Sequence, residues 1–154
     1  MAKPVAATSG YNAGFMTFHE TRLRVRYAET DQMGVVYHAN YLVWMEVGRV
    51  EYCRSQGLRY RDLESGEKVR LAVVEAGCRY LTPARYDDEV IIKSWVEQAS
   101  KRMVIFGYEM RHADSGAILA TGRTKHIFLN QDMKPCKLPE AYVSIFKTTA
   151  SPPE

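Results

Sequence analysis

The sequence predicts an α+β fold in which one long helix packs against an antiparallel sheet of about five strands. Three observations lead to this prediction. Residues 41–56 are apolar around most of a helical circumference, other stretches are rich in β-branched and aromatic residues, and turn-forming segments separate those stretches. With 154 residues, of which 46% are hydrophobic and 25% charged, the chain suits one domain with one core.

The first strand is predicted over residues 20–27, where apolar residues alternate with Arg22, Arg24 and Arg26. A period of two is typical of a half-exposed strand, so we expect the arginines to face water. Residues 28–39 are mostly polar or small, and Gly34 lies in the middle of them. They therefore predict a loop.

The long helix is predicted over residues 41–56, with Asn40 as its N-cap and Gly57 as the glycine that ends it. Large apolar side chains occupy most of its faces, so we expect other structure to surround it. The polar segment 58–68 predicts a short helical turn.

Four further strands are predicted, over residues 69–80, 89–97, 102–111 and 117–129. Turn-forming residues separate them, namely Thr82-Pro83, Ser100-Lys101 and Asp114-Ser115-Gly116. Short connections favour antiparallel neighbours, so the last three strands should form a meander. A weak helix is predicted over residues 140–146.

Composition and cysteine spacing limit the classes to which the protein can belong. We predict one domain over residues 18–147, with a flexible leader over 1–17 and a disordered tail over 148–154. The leader lacks the pattern of a secretory signal, and no window is apolar enough for a membrane span. Three widely spaced cysteines argue against a disulfide framework and favour the cytoplasm. A formal charge of +3, with arginines alternating along strands, argues against a nucleic-acid-binding face.

The segment 27–41, YAETDQMGVVYHANY, carries the most specific pattern in the chain. Its T-D-x-x-G-V-V-Y-H-x-N-Y motif, the helix with Glu46 and Arg49, and the R-Y-L-x-P-A-R-Y-D-D-E turn at 79–89 resemble the 4-hydroxybenzoyl-CoA thioesterase family. Within this family, the sequence looks like the small bacterial acyl-CoA thioesterases often found with the Tol-Pal envelope system. The resemblance spans residues 19–130.

This resemblance implies a hotdog fold, in which a curved antiparallel sheet of about five strands wraps a long central helix. It also implies hydrolysis of an acyl-CoA substrate in sites built between the subunits of a homodimer or homotetramer. CoA is then part of the substrate, and no separate cofactor is expected.

By the same resemblance, Asp31 is the catalytic carboxylate, acting either as nucleophile or as general base for water. A thioester also needs a donor for the oxyanion that develops during attack. The family places this donor at the backbone N–H of His38, at the start of the helix, where N–H groups are unpaired. Gly34 lets the loop between them turn tightly.

Further residues are expected to bind the substrate. Tyr27, Tyr37 and Asn40 flank the loop, together with Gly34, although core packing is an equally good account of the two tyrosines. The CoA phosphates require cations, and Lys101 and Arg102 match the family's nucleotide-contacting position. The alternative is that each is an ordinary solvated charge.

Several alternatives stay open at this point. Glu46 is a second candidate catalytic carboxylate, but pairing with Arg49 at i, i+3 is the plainer account. A non-catalytic module that binds acyl-CoA or acyl-carrier protein would keep the fold without a role for Asp31. A hydratase of the same fold would need an H-x-x-G-x-P-x-x-P-G stretch, which is absent. The histidines lack metal-binding spacing, so no metal is predicted. The acyl group stays open between aromatic and short to medium aliphatic groups.

Overall fold

The computed structural model describes residues 17–146, so the predicted leader and tail lie outside the described residues, apart from Thr17. The elements are β1 (Phe18–Arg24), α1 (Asn40–Ser55), α2 (Tyr60–Asp62), β2 (Arg70–Tyr80), β3 (Glu89–Ala99), β4 (Met103–His112), β5 (Ile118–Leu129) and α3 (Glu140–Val143). The long helix and every predicted strand are therefore present, with their ends displaced by no more than three residues.

The five strands form one antiparallel sheet in the order β1-β3-β4-β5-β2. The predicted meander is confirmed, because β3, β4 and β5 are consecutive neighbours. The first two strands lie at opposite edges, and α1 connects them across one face of the sheet. Arg22 and Arg24 are exposed on β1, as the alternation predicted.

One face of α1 packs against the sheet and forms the core. Its buried residues are Tyr41, Trp44, Met45, Gly48, Tyr52 and Cys53. Burial of each large apolar side chain contributes about 1.5–3 kcal/mol. Helix and sheet approach closely at Gly48, where an added Cβ would clash with the Ser94 Oγ on β3. The absence of a side chain at this position therefore sets the distance between the two layers.

The opposite face of α1 corrects one expectation. Leu42, Val43 and Val47 are exposed, so the prediction that other structure surrounds the helix is wrong for a single chain. The reason is that one curved sheet covers only one side of a helix. An apolar strip, defined here as Leu42, Val43 and Val47, remains open to solvent.

The two ends of α1 differ from each other. The prediction that Asn40 caps the helix is wrong: Asn40 is its first residue, and Ala39 in the cap position makes no side-chain hydrogen bond. The prediction that Gly57 ends the helix is confirmed, because its φ is +89° and the Leu58 N–H donates to the Cys53 carbonyl at 2.9 Å. This is the Schellman arrangement.

The described residues contain neither a disulfide nor a helix that is long and apolar enough to cross a membrane. Cys53 is buried, and Cys78 and Cys136 are half-buried free thiols.

Candidate active site

The segment between β1 and α1 folds back on itself and is closed by its own backbone. Thr30 and Val36 form an antiparallel bridge. Inside it, the Asp31 N–H donates to the Val35 carbonyl at 2.8 Å, and the Gly34 N–H donates to the Asp31 carbonyl at 3.0 Å. Gly34 has a φ of +78°, which favours glycine. The tight turn predicted at Gly34 is thus present.

The carboxylate of Asp31 is half-buried at the tip of this loop. Its Oδ1 accepts a hydrogen bond from the Met33 N–H at 2.8 Å. No donor within residues 17–146 bonds to Oδ2. One oxygen therefore holds the side chain in place, while the other is free to act on a bound molecule.

An open pocket of about 760 Å³ lies beside Asp31, a volume in the range of small-molecule sites. It is lined by Tyr27, Ala28, Thr30, Asp31, Gln32, Tyr37 and Asn40. Tyr27 is 78% exposed and Tyr37 48%, so the alternative that these rings serve core packing is wrong. The structure thus brings four of the predicted site residues to one pocket. Another hollow, beside Trp95 on the sheet, does not include Asp31.

Glu29 connects this loop to α1. Its side chain is nearly fully buried, and its Oε2 accepts from the Trp44 Nε1 at 2.7 Å, while Oε1 accepts from the Arg26 N–H at 2.9 Å. Its backbone carbonyl accepts from the Tyr37 N–H and from the Asn40 Nδ2, both at 2.8 Å. Burial acts to raise the pKa of Glu29, but the hydrogen bonds from Arg26 and Trp44 outweigh it and hold the pKa below its usual value.

Sequence reasoning missed Glu29, because an acidic residue in a polar loop usually faces solvent. Its partner Trp44 lies fifteen positions further along the chain. The only available signal was its place two residues before Asp31, directly ahead of the T-D-x-x-G motif. Asn40, expected to cap the helix, is instead one of the groups that tie the helix start to Glu29.

The backbone just before α1 carries unpaired donors, although His38 and Gly34 are not among the residues that line the pocket. The Asn40 N–H donates to the Tyr37 carbonyl at 2.9 Å. The N–H groups of His38 and Ala39 have no hydrogen-bond acceptor in the described part of the chain. They lie where the positive end of the helix dipole adds to their attraction for negative charge. The His38 imidazole is exposed and packs against the Tyr37 ring, with centroids 4.5 Å apart.

The connection between β2 and β3 forms hydrogen bonds with the loop that carries Asp31. The Val36 N–H donates to the Ala84 carbonyl at 2.8 Å, and the Ala84 N–H donates to the Tyr41 Oη at 3.3 Å. The Arg85 Nη1 reaches the Gly34 carbonyl at 3.5 Å. The turn at 79–89, noted only as part of a family resemblance, thus has a structural role in holding the loop.

Lys101 and Arg102 do not join this pocket within one chain. Arg24, at the end of β1, pairs with Glu89 at the start of β3, whereas the turn 100–102 follows the far end of β3. Eleven residues of strand span about 33 Å. The Lys101 Nζ is paired with the Glu140 Oε1 at 2.6 Å, and Arg102 is exposed.

A separate polar cluster lies beside the second half of α1. The predicted pairing of Glu46 with Arg49 is wrong, because Glu46 is exposed while the Arg49 Nη1 lies 3.5 Å from the His126 Nε2. The Tyr60 and Tyr108 side chains interact electrostatically with Arg49, while the Tyr108 Oη lies 2.8 Å from the Thr124 Oγ1. Burial, assisted by Arg49, lowers the pKa of His126 to about 3. His126 is therefore neutral. Within residues 17–146, no group of side chains has the arrangement of a metal site.

Known proteins resemble the chain in sequence and in fold. The family described as Thioesterase-like superfamily matches residues 25–146. The putative acyl-CoA thioesterase YneP of Bacillus subtilis is 35% identical over 128 residues, covering 82% of this chain and 91% of that protein. The acyl-CoA thioester hydrolase YbgC of Escherichia coli is 30% identical over 126 residues, covering 81% and 92%.

Solved structures show the same architecture. The DHNA-CoA thioesterase from Staphylococcus aureus superposes with a TM-score of 0.77 at 34% identity, covering 82% of this chain and 84% of that chain. The predicted α+β hotdog fold is confirmed.

Proposed function

Because the chain belongs to the Thioesterase-like superfamily, as its sequence predicted, we propose that this thioester hydrolase cleaves an acyl-CoA to the free acid and CoA. The observation that carries the proposal is the geometry of Asp31. One oxygen of its carboxylate is held by the Met33 N–H, and the other is open at a pocket that also reaches Asn40, the first residue of α1.

Asp31 supplies the attacking group in either of two ways. As a nucleophile, it attacks the thioester carbon, CoA leaves as the thiolate, and water then hydrolyses the mixed anhydride. As a general base, it takes a proton from the water that attacks the same carbon. Both routes end in a carboxylic acid, CoA and a regenerated Asp31.

The His38 N–H polarises the thioester carbonyl. Negative charge develops on the carbonyl oxygen during attack, and this donor has no competing acceptor in the described chain. One such donor is worth about 10²–10³ in turnover. The exposed rings of Tyr27 and Tyr37 offer flat apolar surface for an aromatic or an aliphatic acyl group, and Asn40 and the Gly34 turn complete the binding surface.

The open edge of β2 supports an oligomer. β2 lies at the sheet edge, and Val73, Val74, Ala76 and Gly77 are all exposed. A long edge with exposed apolar residues is a template for pairing with another strand. Two copies of β2, paired antiparallel, would extend the sheet into a homodimer. A homotetramer would in addition cover the apolar strip of α1.

This pairing also accounts for the distant cations. The Tyr80 end of β2 lies beside His38, whereas the Arg70 end lies with the turn 100–102, because Arg70 pairs with Leu129 of β5. Antiparallel pairing places the Arg70 end of one subunit next to the Tyr80 end of the other. Lys101 of the partner subunit and Arg102 of the partner subunit then approach the pocket of Asp31, where they would bind the CoA phosphates.

The proposed reaction needs no cofactor. The chain supplies the attacking carboxylate and the oxyanion donor, and CoA arrives with the substrate. Three free thiols suit the reducing cytoplasm, where we place the enzyme.

Release of free thiol from benzoyl-, 4-hydroxybenzoyl-, butyryl- and decanoyl-CoA tests the proposal. Asp31→Asn should lower kcat by about 10²–10⁴-fold, because the amide neither attacks carbon nor accepts a proton from water. Its melting temperature and affinity for CoA should match the wild type. Asp114→Asn, in an exposed turn, is the matched control.

Near wild-type turnover by Asp31→Asn would remove Asp31 from the mechanism. A wild-type enzyme that is inactive on every acyl-CoA would instead favour an acyl-carrier-protein thioester or the non-catalytic binding module.

A further inference from the structure

Two adjacent backbone N–H groups are open at the start of α1, but different contacts orient them. A trans peptide points its C=O and N–H in opposite directions, so an N–H is aimed by whatever holds the preceding carbonyl. The His38 N–H follows the Tyr37 carbonyl, which accepts from the Asn40 N–H at 2.9 Å. The helix start itself therefore aims the first donor.

The Ala39 N–H follows the His38 carbonyl, and the helix forms only a weak hydrogen bond with this carbonyl. The Tyr41 N–H reaches that carbonyl only at 3.4 Å, near the limit of a hydrogen bond. The Tyr80 Oη donates to the same oxygen at 2.9 Å. Most of the restraint on this peptide thus comes from a side chain at the end of β2, 42 positions away in the sequence.

Tyr80 is itself well placed for this contact. Its ring packs edge-on against Tyr41, with centroids 5.2 Å apart, and its backbone pairs with Ala120 of β5. Burial, together with the nearby Cys78, raises the pKa of Tyr80 to about 12. The hydroxyl therefore keeps its proton and remains a donor throughout the neutral pH range.

We propose that Tyr80 is a positioning residue: by binding the His38 carbonyl, it aims the Ala39 N–H beside the His38 N–H, so that two backbone donors meet the thioester oxygen. The inference rests on the proposed thioesterase function and deepens it. In this account Tyr80 acts through the His38 carbonyl, to which its hydroxyl donates its one proton.

Tyr80→Phe tests the proposal, because it removes the hydroxyl and keeps the ring that packs on Tyr41. On the acyl-CoA that the wild type hydrolyses fastest, kcat should fall about 3- to 10-fold while KM stays unchanged. Tyr86→Phe is the control, since no contact of the Tyr86 hydroxyl links it to the helix start. Both variants should melt at the wild-type temperature.

A spectroscopic measurement separates positioning from a merely structural role. In the slow Asp31→Asn background, infrared difference spectra report the carbonyl band of the bound thioester. Adding Tyr80→Phe should move that band back toward its frequency in free substrate, because one donor is misaligned. An unchanged band, or a kcat equal to that of the wild type, would overturn the role of Tyr80 while leaving the thioesterase intact. A wild type without turnover in this assay would overturn both.

Discussion

At the N-terminal end of α1, a buried carboxylate, Glu29, accepts from the Trp44 indole and the Arg26 backbone N–H. It also forms an ion pair with the Arg26 guanidinium at 3.2 Å, so its charge is compensated. In the second half of α1, a half-buried guanidinium, Arg49, faces neutral groups, the imidazole of His126 and the side chains of Tyr60 and Tyr108. We refer to the first region, residues 27–41 with Tyr80, as the open end. The second region, Arg49 with these three partners, is the closed end.

The two ends differ in where their unsatisfied atoms lie. At the open end these are Oδ2 of Asp31, beside an open pocket, and the N–H groups of His38 and Ala39 at the start of the helix. At the closed end they are the Nε of Arg49 and the Nδ1 of His126, both buried. Unpaired groups that a ligand can reach are available to bind it, whereas buried unpaired groups cost stability. Substitutions at the two ends should therefore change different properties.

The largest effect on stability is expected at the closed end. Arg49→Ala should lower the free energy of unfolding by about 2–4 kcal/mol, because it removes the packing of a half-buried side chain and takes a polar neighbour from the buried Tyr108 and His126. The value of kcat, measured well below the melting temperature, should not change. Urea unfolding at one fixed protein concentration checks the first part, and thiol release checks the second.

Arg61→Ala, at an exposed position of α2, is the control for loss of a positive charge. A fall in kcat with an unchanged free energy of unfolding would contradict a purely structural role for Arg49.

A smaller effect, on both stability and activity, is expected for Glu29→Gln. The substitution weakens charge-assisted hydrogen bonds worth about 1.5–3 kcal/mol and loosens the base of the Asp31 loop, so kcat should also fall. The pKa of Glu29 is lowered in the folded protein, so its carboxylate stabilises the fold above the unfolded-state pKa. That contribution is lost as pH falls below about 4.3 toward the folded pKa.

The free energy of unfolding, measured from neutral pH down to pH 3, should therefore fall less steeply for Glu29→Gln than for the wild type. Glu46→Gln, on the exposed side of α1, should keep the wild-type decline and the wild-type kcat. Loss of activity in Glu46→Gln would reopen the alternative of a catalytic helix carboxylate.

The smallest effect is expected for the distant cations. The double variant Lys101→Ala with Arg102→Ala should raise KM for acyl-CoA about tenfold, which corresponds to about 1.4 kcal/mol of lost phosphate binding. Truncated pantetheine thioesters, which lack the nucleotide, should be affected much less. The exposed Lys101–Glu140 pair adds little to stability, so the fold should be unaffected.

Lys134→Ala with Lys137→Ala is the matched change of surface charge. Equal losses on both substrate types would remove Lys101 and Arg102 from the CoA site. Sedimentation of the same samples should show an oligomer, and a fully active monomer would contradict a site shared between subunits.

Local chemistry in the sequence determined much of this protein. The strands were predictable because alternation of apolar residues matches the pleat, and the turns because Gly34 and Gly57 adopt positive φ. Asp31 and the pocket around it were predictable from a continuous motif, since the residues that line the pocket lie within 27–40.

Tertiary structure alone decided the rest. It buried Glu29 against Trp44, turned Arg49 away from Glu46, left the apolar strip of α1 open, and separated Lys101 from Asp31 by the length of a strand. It also brought Tyr80 to the His38 carbonyl from 42 positions away. Each of these outcomes depends on which distant segments share a face or an end of the sheet. A local pattern specifies the element to which a residue belongs, but it does not specify the partner that the residue meets.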